Sequence, residues 1–241
     1  MKTACLPFLL CLAIIPTAAF AQRNDAQPPP VIVVNGNAEV EAVPDEATVR
    51  LGIVRQSPTA QSAQEQASSV AQEILNAIGK LGIAPQRIRT SRLTLSPVYT
   101  PQRGDSREPP RIVAYTASNF VSIDIDKLAQ VGSVIDAGLN AGANQLEGVQ
   151  FRLKNDLPAR QQALKQAVTE ARQKAETIAE ALSLRLGAVV DVSENGVSVV
   201  PLAEASFVEA RTAGFSALTP VSPGQLQVHA NVVVRFRIEP K

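Results

Sequence analysis

Beyond residue 21 the chain has no cysteine and no methionine, because Met1, Cys5 and Cys11 all lie at the N-terminus, and it has no tryptophan anywhere. That absence excludes thiol nucleophiles, disulfide exchange and cysteine metal centres from the body of the protein. It also removes both side chains whose sulfur oxidises reversibly, so any defence against oxidants has to be indirect. A single histidine, His229, leaves too few ligands for a zinc site built of histidine and cysteine. Charge of one sign is missing too. With Lys2 set aside, the 23 bases become 22 against 22 acids, and no field arises that would gather nucleic acid, which is therefore not expected as a partner. No GxSxG, Walker, HExxH or dinucleotide glycine pattern occurs.

What is present begins with a leader. Lys2 supplies a positive start, "CLPFLLCLAII" an apolar core of 11 residues, and Ala19-Phe20-Ala21 a small-x-small cleavage site. Together these predict a secretory signal peptide over 1–21, cut after Ala21, and hence an exported protein. The stretch is shorter than the roughly 20 apolar residues a spanning helix needs. Leu10 stands before Cys11 where a lipobox requires a small residue, which weakens a lipid anchor, although peripheral association with the envelope stays open. Residues 22–30, "QRNDAQPPP", read as an extended, poorly ordered spacer. Residues 31–241 are long enough to bury a core without disulfides and read as a single domain.

Strands are expected at about 31–41 and 46–56 around a turn at Pro44-Asp45. In the second, Ala47, Val49, Leu51 and Ile53 alternate with Glu46, Thr48, Arg50 and Gly52, the pattern of a sheet with one buried face. Ser57-Pro58 reads as the cap and first-turn proline of a helix to about Leu81, with Ala63, Ala67, Val70, Ala71, Ile74 and Ile78 on one face. Further strands follow at about 87–99 and 111–125, with a proline-rich loop between them. Asp126 reads as the cap of a second helix carrying Leu128, Val131, Ile135 and Leu139, with "LEGVQFRL" as the next strand. A long helix at about 157–186, a strand near 188–193, a loose stretch at 200–225 and a last strand "LQVHANVVVRFRI" complete the chain.

Each helix reads as ending in glycine and an apolar residue: Gly82-Ile83, Gly142-Ala143 and Gly187-Ala188. The order strand, helix, glycine stop, strand thus occurs at about 46–95 and again at 113–153. The class expected is α+β, a predominantly antiparallel sheet covered by three helices, with two βαβ-like units. The 200–225 stretch carries Phe207, Val208, Phe215, Leu218 and Val221, which point to contact either with the body of the protein or with another subunit.

Groups able to do chemistry are few. On the last strand His229 shares a face with Gln227, Asn231, Val233 and Arg235, away from the apolar Val228, Ala230, Val232, Val234 and Phe236. Asp124 with Asp126, Glu39 with Glu41, and the turn pair Asp45-Glu46 are the nearest approach to paired carboxylates for hydrolysis or a hard cation. Arg87, Arg89, Arg92, Arg103, Arg107 and Arg111 form a basic run near Tyr99 and Tyr115, the ingredients of a polyanion surface. Each reads more simply as a solvated strand face or loop, so no catalytic, cofactor or metal residue is assigned and no cofactor is expected. The long helix repeats Ala167, Ala171, Ala175 and Ala179, with Leu164, Val168, Ile178 and Leu182 on the same side and Glu170 four residues before Lys174. Alanine at that spacing permits close approach of another backbone, whether a sheet, the 59–81 helix or a neighbouring subunit.

From about 32 to 238 the chain resembles the SIMPL domain family, domain of unknown function 541, periplasmic and outer-membrane-associated immunogenic proteins of Gram-negative bacteria among them. The resemblance is carried by Val34-Asn35-Gly36, Pro44-Asp45-x-Ala47, Leu81-Gly82-Ile83 and Ile88-x-Thr90. It continues through Tyr99, Tyr115-x-x-x-Asn119, Gly142-Ala143, and Ala159-Arg160 with Ala163, Ala167, Ala171, Lys174-Ala175 and Ala179. Leu186-Gly187 and Pro223-Gly224 complete it. It implies no family-wide catalytic residues, ring or channel-like oligomers in some members, and a link to oxidative stress in others. The function expected is therefore that of a non-catalytic exported envelope protein that forms a homo-oligomer. The alternatives are a carboxylate-dependent hydrolase assembled only in the fold, or a module binding a small ligand or polyanion.

Overall fold

The computed structural model describes residues 29–101, 109–202 and 219–241; residues 1–21, read as a leader, residues 22–28 of the expected spacer, Arg103, Arg107, Phe207, Val208, Phe215 and Leu218 lie outside them. The elements are β1 (Val31–Ala42), β2 (Glu46–Ser57), α1 (Ala60–Lys80), β3 (Ile88–Tyr99), β4 (Ile112–Ile125), α2 (Val131–Asn140), β5 (Gln145–Arg152), α3 (Leu157–Ala181), β6 (Leu184–Pro201) and β7 (Leu226–Pro240). The class is α+β and every strand pairing is antiparallel.

The strands divide into two sheets, one of three strands ordered β1-β7-β6 and one of four ordered β3-β4-β2-β5. The turn at Pro44-Asp45 therefore does not close a hairpin: β1 and β2 belong to different sheets. The repeat read at 46–95 and 113–153 corresponds to β2-α1-β3 and β4-α2-β5. Each contributes a strand that lies between the two strands of the other, the split βαβ arrangement of ferredoxin-like sheets. That topology hosts many unrelated functions and assigns none.

Two cores result. Ala47, Val49, Leu51 and Ile53 of β2 are fully buried with Ala63, Ala67, Ile74 and Ile78 of α1. In the other, Ile32, Val34 and Val40 of β1 and Val228 to Phe236 of β7 lie under Ala163, Ala167, Ala171, Ala175 and Ala179 of α3. The alanine row thus serves the chain's own sheet. At the closest point, a Cβ added to Gly36 would fall 1.9 Å from the Ala167 carbonyl oxygen, so only glycine lets α3 seat on β1.

Three local expectations are corrected. Ser57 is the last residue of β2, in register with Tyr115, and Thr59 caps α1 by accepting from the Ser62 N–H at 3.3 Å. Asp126 caps nothing: it pairs with Arg87 at 2.5 Å and Lys154 at 3.1 Å, and α2 starts at Val131 with no side-chain cap. Finally α3 stops at Ala181, five residues before Leu186. Ser183 takes the left-handed backbone there (φ 57°), as Gly82 and Gly142 do after α1 and α2. Leu184 to Leu186 are drawn into the ladder opposite Ile238 to Pro240. Long β7 also extends β6 well beyond the expected 188–193, with register shifts at three points.

The stretch after β6 returns to the body where it is described. Thr219 donates its N–H (3.1 Å) and hydroxyl (2.6 Å) to Asp136 of α2, and Val221 packs on the first core.

Candidate functional site

Because β2 and β4 alternate, the residues opposite their core face point away from α1 and α2. At one end these are Glu46 and Thr48 on β2 and Asp124 on β4. Sequence alternation places them in water, yet all three are buried. Their cover is guanidinium. Arg152 from β5 donates Nε to Glu46 at 2.5 Å and Nη2 to Asp124 at 2.9 Å. Arg89 from β3 donates to Asp124 at 2.9 Å, the Thr48 hydroxyl donates to it at 2.8 Å, and Arg87 donates to the second oxygen of Glu46. Every oxygen of both carboxylates is engaged.

The rim continues the pattern. Arg87, held between Glu46 and Asp126, is raised above its ordinary value chiefly by its hydrogen bond to Glu46. Asp126 is lowered by its hydrogen bond to Lys154 and by Arg87. The Asp45 N–H donates to the Arg152 carbonyl at 3.2 Å, and Asp45 accepts from the Lys154 N–H at 2.6 Å. The network therefore sits where the chain passes between its two sheets, after β1 and again after β5. A cleft of about 240 Å³ opens beside it between the end of α1 and Asp126. Chemically it is occupied: a general acid or base needs a proton position facing substrate, and here each oxygen of Glu46 and Asp124 already accepts from a guanidinium or hydroxyl. Further along the same face Arg92 lies over the Phe120 ring, 4.5 Å from its centre, and bonds Glu147 at 2.5 Å. Of the run read as a polyanion surface, Arg87, Arg89 and Arg92 thus meet carboxylates of their own chain. Arg111 remains exposed, and Tyr115 packs on the core away from exposed Tyr99.

The outer face of the three-stranded sheet is built differently. Asn195, Asn231 and Asn37 form a ladder of amides across β6, β7 and β1 at 3.0 and 2.5 Å. One step away, Ser198, His229 and Glu39 stand in register on the same three strands. His229 Nδ1 is 3.3 Å from Glu39 Oε1, which shares its carboxylate with Gln227 at 2.7 Å. In sequence Ser198 and Glu39 are far from His229, and they come level with it only through the β6–β7–β1 register. A serine–histidine–carboxylate series is the arrangement of a nucleophile, its base and an orienting acid. What it lacks is the remainder of such a site. No hydrogen bond joins Ser198 to His229, the Gly196 N–H is taken by Glu194 at 2.7 Å, the amides bond one another, and Glu39 is 62% exposed. Among the described residues no group of three or more His, Cys, Asp or Glu is placed to hold a metal ion. None of the described helices is long and apolar enough to cross a membrane.

The family model described as "Protein of unknown function (DUF541)", SIMPL, matches residues 32–236. The chain belongs to the SIMPL family. The match runs from β1 to Phe236 of β7, so both sheets and both polar faces lie within the SIMPL region. Among curated relatives, the "26 kDa periplasmic immunogenic protein" of Brucella melitensis biotype 1 is 31% identical over 227 residues, covering 92% of this chain and 90% of its own length. The protein of the same name from Brucella abortus strain S19 is equally similar. "Uncharacterized protein YggE" of Escherichia coli K12 is 27% identical over 220 residues, covering 91% and 88%. None of these SIMPL relatives carries the name of an enzyme.

Proposed function

We propose that this SIMPL protein is an exported, periplasmic, non-catalytic protein that acts by assembling with copies of itself, its leader removed after Ala21. The leader residues and the periplasmic names of the Brucella relatives support export. The observation that carries self-assembly is the exposed apolar surface on strands. Leu93, Leu95, Tyr99, Ile112 and Val113 of the β3–β4 ribbon, and Val189, Val190 and Val192 of β6, are each 45–55% exposed. Large apolar side chains held half out in water on strands of both sheets favour an association surface in a protein that must stay soluble. Its part in oxidative stress defence is indirect and runs through the assembly, since the chain after Ala21 lacks sulfur. Multi-angle light scattering of the mature protein at micromolar concentration tests the reading: a large homo-oligomer is expected, and a monodisperse monomer sinks it.

A catalytic reading has one observation behind it, the Ser198–His229–Glu39 register. Saturable ester or amide hydrolysis by the pure protein, abolished in a folded His229→Ala variant, would establish it in place of the assembly reading.

A further inference from the structure

The four end strands of the two sheets are unequal. β1 lies beneath α3, and β5 is short, its Glu147 and Arg152 tied to β2, β3 and β4. The other two are long, and among the described residues Arg89 to Pro97 of β3 and Ala188 to Gly196 of β6 are exposed at every position. The charges on these two are opposite. β3 carries Arg89 and Arg92 and no acid, while Ala188–Gly196 carries Asp191 and Glu194 and no base.

Their faces match as well. Leu93 and Leu95 stand opposite Asn119 and Ala117 on the side of α1, with Arg89 and Arg92 on the helix-free side. Val189 and Val192 stand opposite Phe236 and Val234 on the side of α3, with Asp191 on the helix-free side opposite Arg235. Laid edge to edge with helices on one side, the two strands set leucine against valine on that side and arginine towards aspartate on the other. The backbone groups of bare end strands are ready to extend a ladder.

We infer that β3 of one copy pairs with β6 of the next, joining the four-stranded sheet of one subunit to the three-stranded sheet of its neighbour. This rests on the self-assembly reading and specifies its surface. Because the two edges differ, the contact is heterologous, and its repetition closes a ring or extends a fibre.

Charge exchange on exposed residues tests it in the full mature chain. One variant carries Leu93→Glu with Leu95→Glu, which sets acid against the acidic β6 edge. The other carries Val189→Lys with Val192→Lys, which sets base against the basic β3 edge. Each alone should retain the circular dichroism of the wild type and fall to the mass of a single chain. An equimolar mixture should regain the wild-type mass, because acidic β3 then meets basic β6 and the two unaltered edges meet each other. Wild-type mass in either variant alone, or monomers in the mixture, overturns the β3–β6 contact. A wild type that is itself monomeric overturns the assembly reading instead, so the two failures are distinct.

Discussion

The helix-free faces of the two sheets are made of similar polar residues and handle them in opposite ways. On the four-stranded sheet Glu46 and Asp124 are removed from water and surrounded by Arg87, Arg89 and Arg152. On the three-stranded sheet Asn231 bonds Asn37 and His229 stands beside Glu39, all four at exposed or half-buried positions. Desolvation makes the first set interdependent, since removing one partner strands a buried charge. The second set exchanges its bonds with water at little cost. Burial, not the presence of ionisable groups, separates a structural pillar from a hydrated surface. Arg152→Ala breaks the comparison most sharply. It deprives two buried carboxylates at once and is expected to lower stability by about 3 kcal/mol, measured by urea unfolding.

Next in size is the seat of α3. Gly36→Ala places a methyl group against the Ala167 carbonyl, a backbone atom that no rotamer change can move. About 2 kcal/mol of destabilisation is expected, with the loss confined to the β1–β7–β6 half in hydrogen exchange. Local opening of that half, while β2 and β4 amides keep their protection, would sharpen the contrast between the two cores. Removal of the Thr59 hydroxyl from the start of α1 by Thr59→Ala should cost about 1 kcal/mol. Ser57→Ala, altering the residue first read as the cap, should leave the first turn of α1 unchanged.

Much of this was legible because it is local. The alternation of Ala47, Val49, Leu51 and Ile53, the α1 stripe from Ala63 to Ile78, and the left-handed stops at Gly82 and Gly142 follow from neighbours in the chain. What was hidden depends on sheet order. Glu46 and Thr48 read as solvated because nothing nearby in sequence announces that Arg87 and Arg152, 41 and 106 residues away, will cover Glu46. Ser198, His229 and Glu39 align through register across 31 and 190 residues, read from their positions. The overrun of α3 has the same origin: Leu184 to Leu186 suit a helix, and only the partner residues Ile238 to Pro240 make them strand.

An electrostatic contrast exists within the second sheet too. Glu170 of α3 accepts from the Asn37 N–H at 2.5 Å and pairs with Lys174 at 2.9 Å. The backbone hydrogen bond, then Lys174, hold it below its ordinary 4.5. A carboxylate lowered in the folded state stabilises fully above that ordinary value and loses its contribution as pH falls through the folded pKa. Stability should therefore decline on acidification below about pH 4.5, and Glu170→Gln should flatten that part of the curve while lowering the plateau at neutral pH. Thermal unfolding between pH 3 and pH 7 reads both effects.

The smallest expected effect lies on the amide face. Asn231 accepts from Asn195 and donates to Asn37, so Asn231→Ala removes the middle of a three-strand ladder. Its neighbours on both sides are exposed or half-buried, and water replaces each lost bond. The expected change is within about 0.5 kcal/mol, against about 3 kcal/mol for Arg152→Ala on the other sheet. Chemical unfolding of both variants under one set of conditions measures that ratio. Equal losses would mean that the amide ladder is as sequestered as the arginine network, and the distinction between the two faces would fail with it.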